Sequence, residues 1–254
     1  MKKAFWYLPV ISLALFFSAW WIISLAVGSE FLFPSPSAVL EEMSGFLFSN
    51  DLIGSVFNTL YRVVVSFAAA FFIAFLFAML AYKSIIAKKL LAPFVLLTRS
   101  TPTMSLIFIC LIWFSSKFSP MAVSFAVLFP LLYSAFYGAL LSVDKKIIEM
   151  AKAYKFSRMS VLKNVYVPYV AKTAYPQVVG ALSFNVKLIV AGEAWAQTAE
   201  SLGRVMYKAN INLETARLFA ATVAALVLSF VLELFIFIIK MILEKIRYAK
   251  VDRY

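Results

Sequence analysis

FWYLPVISLALFFSAWWIISLAV, residues 5–27, runs for 23 residues without a charged side chain. An α-helix rises 1.5 Å per residue and needs about 20 such residues to cross the hydrocarbon layer of a bilayer, so this stretch predicts a membrane span. Lys2 and Lys3 precede it as in a secretory leader. The run exceeds the about 7–15 apolar residues of a leader core and lacks a clear small-x-small cleavage site, which predicts an uncleaved first span.

Outward from this stretch the pattern recurs at residues 63–82, 91–113, 121–143, 173–198 and 218–239, the second of these interrupted by Arg99 and Pro102. The composition agrees: 64% of residues are hydrophobic and 14% charged, and mean hydropathy is +0.92, outside the range of soluble domains. The expected fold is an all-α integral membrane bundle of about six transmembrane helices. No linker, low-complexity tract or fixed-period repeat divides the chain, so residues 1–254 are expected to form one domain.

The net charge of +12 falls between the apolar runs rather than on one soluble face, which argues against a nucleic-acid partner and for topology signals. With both termini in the cytoplasm, 17 Lys and Arg lie inside: Lys2 and Lys3, Lys83 to Lys89, the segment 144–172, and the C-terminal end from Lys240. Only Lys117, Arg204, Lys208 and Arg217 lie outside, and the loop 28–57 carries acids but no Lys or Arg. The positive-inside rule therefore predicts cytoplasmic termini. Histidine is absent and Cys110 is the one cysteine, inside an apolar run. No disulfide framework, thiolate metal site or nucleophile-base pair can be assembled, so neither a metal nor a catalytic residue is expected.

The segment 144–172 separates spans four and five and is too long for a plain turn. Within it Ile147, Met150, Ala151 and Tyr154 recur at helical spacing, as do Met159, Leu162 and Val165 after Ser157, a suitable N-cap. The second helix is expected to end before Pro168, whose ring disfavours helix in the residue ahead of it. Two short amphipathic helices on a membrane face admit two readings, an interfacial layer against anionic lipid or a docking site for a partner.

EMAKAYKFSRMSVLKNVYVP, residues 149–168, resembles the EAA loop of binding-protein-dependent ABC importer permeases through Glu149, Ala151, Ser157, Arg158, Val167 and Pro168. FPSPSAVLEEM (33–43), RSTPTMSLIFICLIWF (99–114) and GEAWAQTAESLG (192–203) are similar to the nitrate, sulfonate and taurine permease group of type I importers. Met150 and Lys155 stand where the family usually has Ala and Gly, and the missing glycine removes the permissive backbone that the family uses to turn between the short helices. The resemblance implies an inner-membrane permease subunit with no cofactor of its own. Its implied partners are separate ATPase subunits carrying ATP and Mg, an extracytoplasmic solute-binding protein, and a second permease copy, a homodimer by default. Glu149, Ala151, Lys155, Ser157, Arg158 and Pro168 then form the ATPase-coupling loop, although Glu149 also suits the first turn of a helix simply as a charge against the macrodipole. No G-x-x-x-x-G-K-[ST] phosphate loop occurs in the sequence.

Arg99, Lys187 and Glu193 lie inside predicted spans, where an ionisable group needs water or a partner. Each is a candidate for the solute pathway or for bracing a helix interface. Lys187 and Glu193 are six residues apart, about 120° around a helix, and do not form a simple intrahelical pair. Two cations favour an anionic solute, such as a sulfonate or nitrate, while vitamin precursors are also carried within the group. Two further classes remain open on sequence: an ion-coupled secondary transporter, which would show repeated halves, and a membrane assembly scaffold.

Overall fold

The computed structural model describes residues 7–47 and 50–251. The chain forms α1 (Leu8–Val27), α2 (Pro36–Leu47), α3 (Asn50–Lys83), α4 (Ile85–Ser100), α5 (Thr103–Trp113), α6 (Ser119–Leu141), α7 (Lys145–Ala153) and α8 (Arg158–Val161). A π-helical turn (Leu162–Tyr166) follows, then α9 (Val167–Ala196), α10 (Leu202–Ile211) and α11 (Thr215–Val251). Among the described residues there is no strand. Five helices are long and apolar enough to cross a membrane, and the bent pair α4–α5 makes a sixth crossing if counted as one span. The six apolar stretches read from sequence each fall on one of these elements.

Helices α3, α6 and α9 form the centre. On α3, Ala70, Ala74, Ala78 and Ala81 are all buried, and this row of small residues lets the backbone approach Leu128, Leu132, Phe136 and Leu140 of α6 and Ala174 and Ala181 of α9. A second core, toward the opposite end, joins Val63 of α3, Leu182, Val186 and Ile189 of α9, Leu202 of α10 and Ala220 and Leu228 of α11. Between the two cores lies a polar knot. The Asn185 amide donates to the Val63 carbonyl at 2.8 Å and to the Ser66 hydroxyl at 3.3 Å, and the Ser124 hydroxyl donates to the Asn185 side-chain oxygen. All three side chains are buried, so their pairing is what makes them tolerable in an apolar bundle.

The helix α1 lies at the periphery. Its attachments are the Trp20 indole, donating to the Pro34 carbonyl at 3.0 Å and lying 5.9 Å from the Phe219 ring, and the Ser24 hydroxyl on the Phe33 carbonyl at 3.3 Å.

Several boundaries differ from the sequence reading for identifiable reasons. The helix α3 begins 13 residues before the apolar stretch at 63, and the polar Asn58, Thr59 and Arg62 ahead of that stretch find partners in Glu200 and Glu193 rather than ending the helix. The third span breaks at Thr101–Pro102 with a bend of 104°: Thr101 is extended, as the residue before a proline prefers. The second loop helix does not stop ahead of Pro168. Tyr166 and Val167 keep helical dihedrals and the Val167 amide reaches back to the Leu162 carbonyl. The widened π turn makes room for the proline ring and the missing N–H falls in the first turn of α9. Two helices, α2 and α10, occupy stretches read as loops.

Candidate functional site

The segment between α6 and α9 is built from its caps inward. The Asp144 carboxylate accepts the Lys146 amide at 2.8 Å, opening α7. At the other end the Tyr154 amide bonds the Met150 carbonyl and the Phe156 amide bonds the Ala151 carbonyl, both at 3.0 Å. Between them Lys155 has φ of +54°. This is a six-to-one helix terminus with a left-handed residue, the position that usually requires glycine. The turn that the glycine-free sequence called into question is therefore made, by Lys155 itself in a conformation that disfavours a side chain. The Ser157 hydroxyl then accepts the Ser160 amide at 3.1 Å, as expected of an N-cap.

Of the apolar face read from α7, Ala151 alone is fully buried, at 5% exposure; Met150 is 55% and Tyr154 74% exposed, and Phe156 and Met159 beyond the turn are 58% and 69% exposed. Glu149, Lys155 and Ser157 are exposed and Pro168 is half-buried at the root of α9. Arg158 opens α8, and its side chain lies outside the described residues. The segment is fixed to the bundle by the Tyr169 hydroxyl on the Ser142 carbonyl, 2.8 Å, and by the Tyr82–Tyr166 hydroxyl pair, 3.1 Å. Residues 149–159 thus lie at one end of the bundle, where Met150, Tyr154, Phe156 and Met159 form an exposed apolar surface on a capped, anchored support.

The three charged residues read inside the predicted spans, Arg99, Lys187 and Glu193, do not pair with one another. Glu193 is 0% exposed and its carboxylate receives Arg62 at 2.8 Å, the Thr59 hydroxyl at 2.9 Å and the Gly203 amide at 3.2 Å. Thr59 in turn accepts the Leu202 amide at 3.1 Å. A Cβ on residue 203 would stand 2.3 Å from the Val190 carbonyl oxygen and 2.6 Å from the Glu193 Cβ, so only glycine lets α10 seat this closely on α9. Glu193 ties α3, α9 and α10 within one chain. Its partner Arg62 went unread in the sequence; the signal for it was a Thr and an Arg three apart on one helix face just ahead of an apolar run.

Lys187, in contrast, is exposed on α9, and Arg99 is exposed in the last turn of α4, its guanidinium donating to the Pro130 carbonyl of α6 at 3.4 Å. Among the described residues neither forms an ion pair. On insertion scales such a cation costs about 2.5–3.5 kcal/mol at the centre of a span when it faces lipid. Glu233 of α11 accepts the Ser183 hydroxyl of α9. No group of three or more metal-ligating side chains occurs among the described residues.

Residues 70–245 match the family described as binding-protein-dependent transport system inner membrane component. The chain belongs to this family. Among curated relatives, a probable ABC transporter permease protein of Haemophilus influenzae is 24% identical over 208 residues, 79% of this chain and 82% of that one. A probable ABC transporter permease protein of Brucella melitensis is 28% identical over 162 residues, 63% of this chain and 65% of that one. Among solved structures, the fold is similar to a chain of an amino acid ABC transporter with a TM-score of 0.60 at 16% identity, covering 80% of this chain and 96% of that one. It is likewise similar to a chain of a bacterial transporter importing alginate, with a TM-score of 0.58 at 17% identity and coverage of 92% and 94%. An inward-facing methionine ABC transporter gives 0.54 at 20%, covering 71% of this chain and 92% of that one. As a binding-protein-dependent permease, the chain is a multi-pass inner-membrane subunit of an ABC importer with the helical fold of type I permeases.

Proposed function

We propose that this permease couples to a separate ATPase subunit through residues 144–172, and that it forms the solute pathway together with a second permease copy, a homodimer by default. The supporting observation is the surface of Met150, Tyr154, Phe156 and Met159, apolar and exposed at the end of an otherwise anchored segment. An apolar patch held on a rigid support is what a partner groove recognises. A lipid-embedded alternative would place those residues in the interface without needing the left-handed turn at Lys155. In this arrangement Glu149 sits at the docking face with Arg158 as a polar contact, while Ala151, expected there too, is buried at 5% exposure and supports the helix from within; ATP and Mg belong to the partner, and both termini are cytoplasmic. An extracytoplasmic binding protein delivers the solute. Nucleotide-driven approach of two ATPases moves the paired loops, and the long helices carry that motion to the opposite end.

The test is co-expression with the ATPase and binding protein, followed by purification and reconstitution. Wild type is expected to retain the ATPase through purification and to take up solute only with ATP. Glu149→Lys is expected to lose the ATPase and, with it, uptake. Uptake without any ATPase, or driven by an ion gradient, would overturn the reading.

A further inference from the structure

Helix α1 touches the rest of the chain at few points, and the space it encloses with α2 and α11 is a cavity of about 720 Å³. The cavity runs from Phe16 to Ile23 on α1, from Pro36 to Met43 on α2 and from Leu218 to Leu226 on α11. Phe16 is midway along α1 and Ile23 is four residues from its end, while Leu218 is three residues from the start of α11. The Thr215 hydroxyl on the Phe31 carbonyl, 2.5 Å, sets that start beside the end of α1. At 1.5 Å per residue the walls on α1 and α11 are about 10–12 Å long, so the cavity occupies one leaflet of a ~30 Å hydrocarbon layer. The polar hydrogens of its wall side chains are engaged elsewhere, the Trp20 indole on the Pro34 carbonyl and the Thr222 hydroxyl on the Leu218 carbonyl at 2.8 Å. Phe16, Phe17, Leu40 and Leu226 are each more than half exposed, an apolar surface that this chain leaves to something else.

The segment closing one end of the cavity changes character residue by residue. Pro36 lines the cavity, whereas Ser35 and Ser37 line a second pocket of about 330 Å³ with Ser24, Ser29 and Glu30. Ser24 is in the last turn of α1 and Ser29 and Glu30 lie just beyond it, at the depth of lipid headgroups. The Glu30 carboxylate is held on one side by Ser35, accepting its amide at 2.8 Å and its hydroxyl at 2.7 Å, and is exposed on the other. Each oxygen keeps a lone pair for a further donor, and among the described residues no cation pairs with it. An apolar slot one leaflet deep that ends in a carboxylate has the form of an amphiphile with a cationic head, whereas a helix laid along the groove would leave the carboxylate unanswered. We propose that the two cavities together hold one phospholipid bearing a primary amine, its acyl chain between α1, α2 and α11 and its ammonium on Glu30. The same carboxylate repels an anionic head. With both termini cytoplasmic, this lipid belongs to the periplasmic leaflet, where it completes the packing of α1, otherwise tied to the chain through Trp20 and Ser24.

The probe is phosphatidylethanolamine carrying a photoactivated diazirine in its acyl chain, incorporated into nanodiscs with the full-length permease and its co-purifying subunits. Cross-links located by peptide mass spectrometry are expected to concentrate on residues 16–23, 36–43 and 218–226. Unlabelled phosphatidylethanolamine is expected to compete about fivefold better than phosphatidylglycerol, the weight of one ion pair at 4 Å in water. Glu30→Gln should remove that preference and keep the acyl label, and Ala19→Trp, which fills the cavity from α1, should remove the label. Benzoylphenylalanine in place of Phe16 gives a second readout that leaves Glu30 and Ala19 as they are: irradiation in membranes is expected to yield an adduct of phospholipid mass. Capture of a second permease chain at that position would show the groove to be an interface between copies and overturn the site. Diazirine label spread evenly along α1 and α11 would overturn it as well. Equal competition by the two lipids, or a preference that survives Glu30→Gln, would overturn the placing of the amine on Glu30.

Discussion

Glu193 and Lys187 lie six residues apart on one helix and meet opposite environments, which is the difference between a side chain that holds the fold together and one that faces outward. Removing one partner of a buried pair leaves the other charge unsolvated, at a cost of about 3–5 kcal/mol. Arg62→Ala is therefore expected to lower the midpoint of thermal unfolding in detergent sharply. Arg62→Ala combined with Glu193→Gln should recover part of the loss, and if the double variant is no more stable than the single one, the pair is not what secures α10. A second prediction belongs to Lys155. A left-handed conformation costs an L-residue roughly 1–2 kcal/mol, so Lys155→Gly is expected to slow amide exchange of Tyr154 and Phe156 by roughly fivefold. Sequence pointed to Glu193 as a charge needing company; it could not name Arg62, because the partner is more than a hundred residues away and only tertiary packing brings α3 against α9.

The elements were legible to the extent that hydropathy marks the lipid-crossing part of a helix. Six apolar stretches became five spanning helices and one pair bent by 104°, but the ends of α3 and α9 and the whole of α2 and α10 rest on capping and tertiary hydrogen bonds, which hydropathy does not register. The start of α2 illustrates this. The Ser35 hydroxyl accepts the Ala38 amide at 3.2 Å and donates to Glu30 at 2.7 Å, while the Ser35 amide donates to the same carboxylate at 2.8 Å. The Ser35 hydroxyl, and then its amide, hold the Glu30 carboxyl below its ordinary value of 4.5. A carboxyl depressed by folding contributes above its unfolded pKa and loses that contribution as pH falls through the lower folded value. In a carbon-detected titration, Ser35→Ala is expected to move the Glu30 midpoint back up toward 4.5; an unmoved midpoint would mean that the hydroxyl is not the cause.

For the whole molecule, the alanine row on α3 sets how closely the central helices pack. Ala74→Leu adds volume at a position that is 0% exposed, and overpacking of this kind costs typically about 1–3 kcal/mol. The variant is expected to unfold at lower temperature, whereas Leu76→Ala, on the 56% exposed side of the same helix, should change little. Equal losses from the two would mean that α3 packs against another surface in solution. Which faces of the bundle meet lipid and which meet protein was not legible, since an apolar face reads alike in sequence in either case.

The π turn at Leu162–Tyr166 carries a geometric consequence for this machine. It holds one residue more than the α-helical turn it replaces, and one residue is about 100° of rotation. The direction in which α7 and α8 look out from the bundle is thus a phase angle, written in the winding of the five residues before α9. Deleting Leu162 or Val165 would leave α9 and the exposed side chains of the loop present, yet turn the loop about a quarter of a revolution away from whatever it engages.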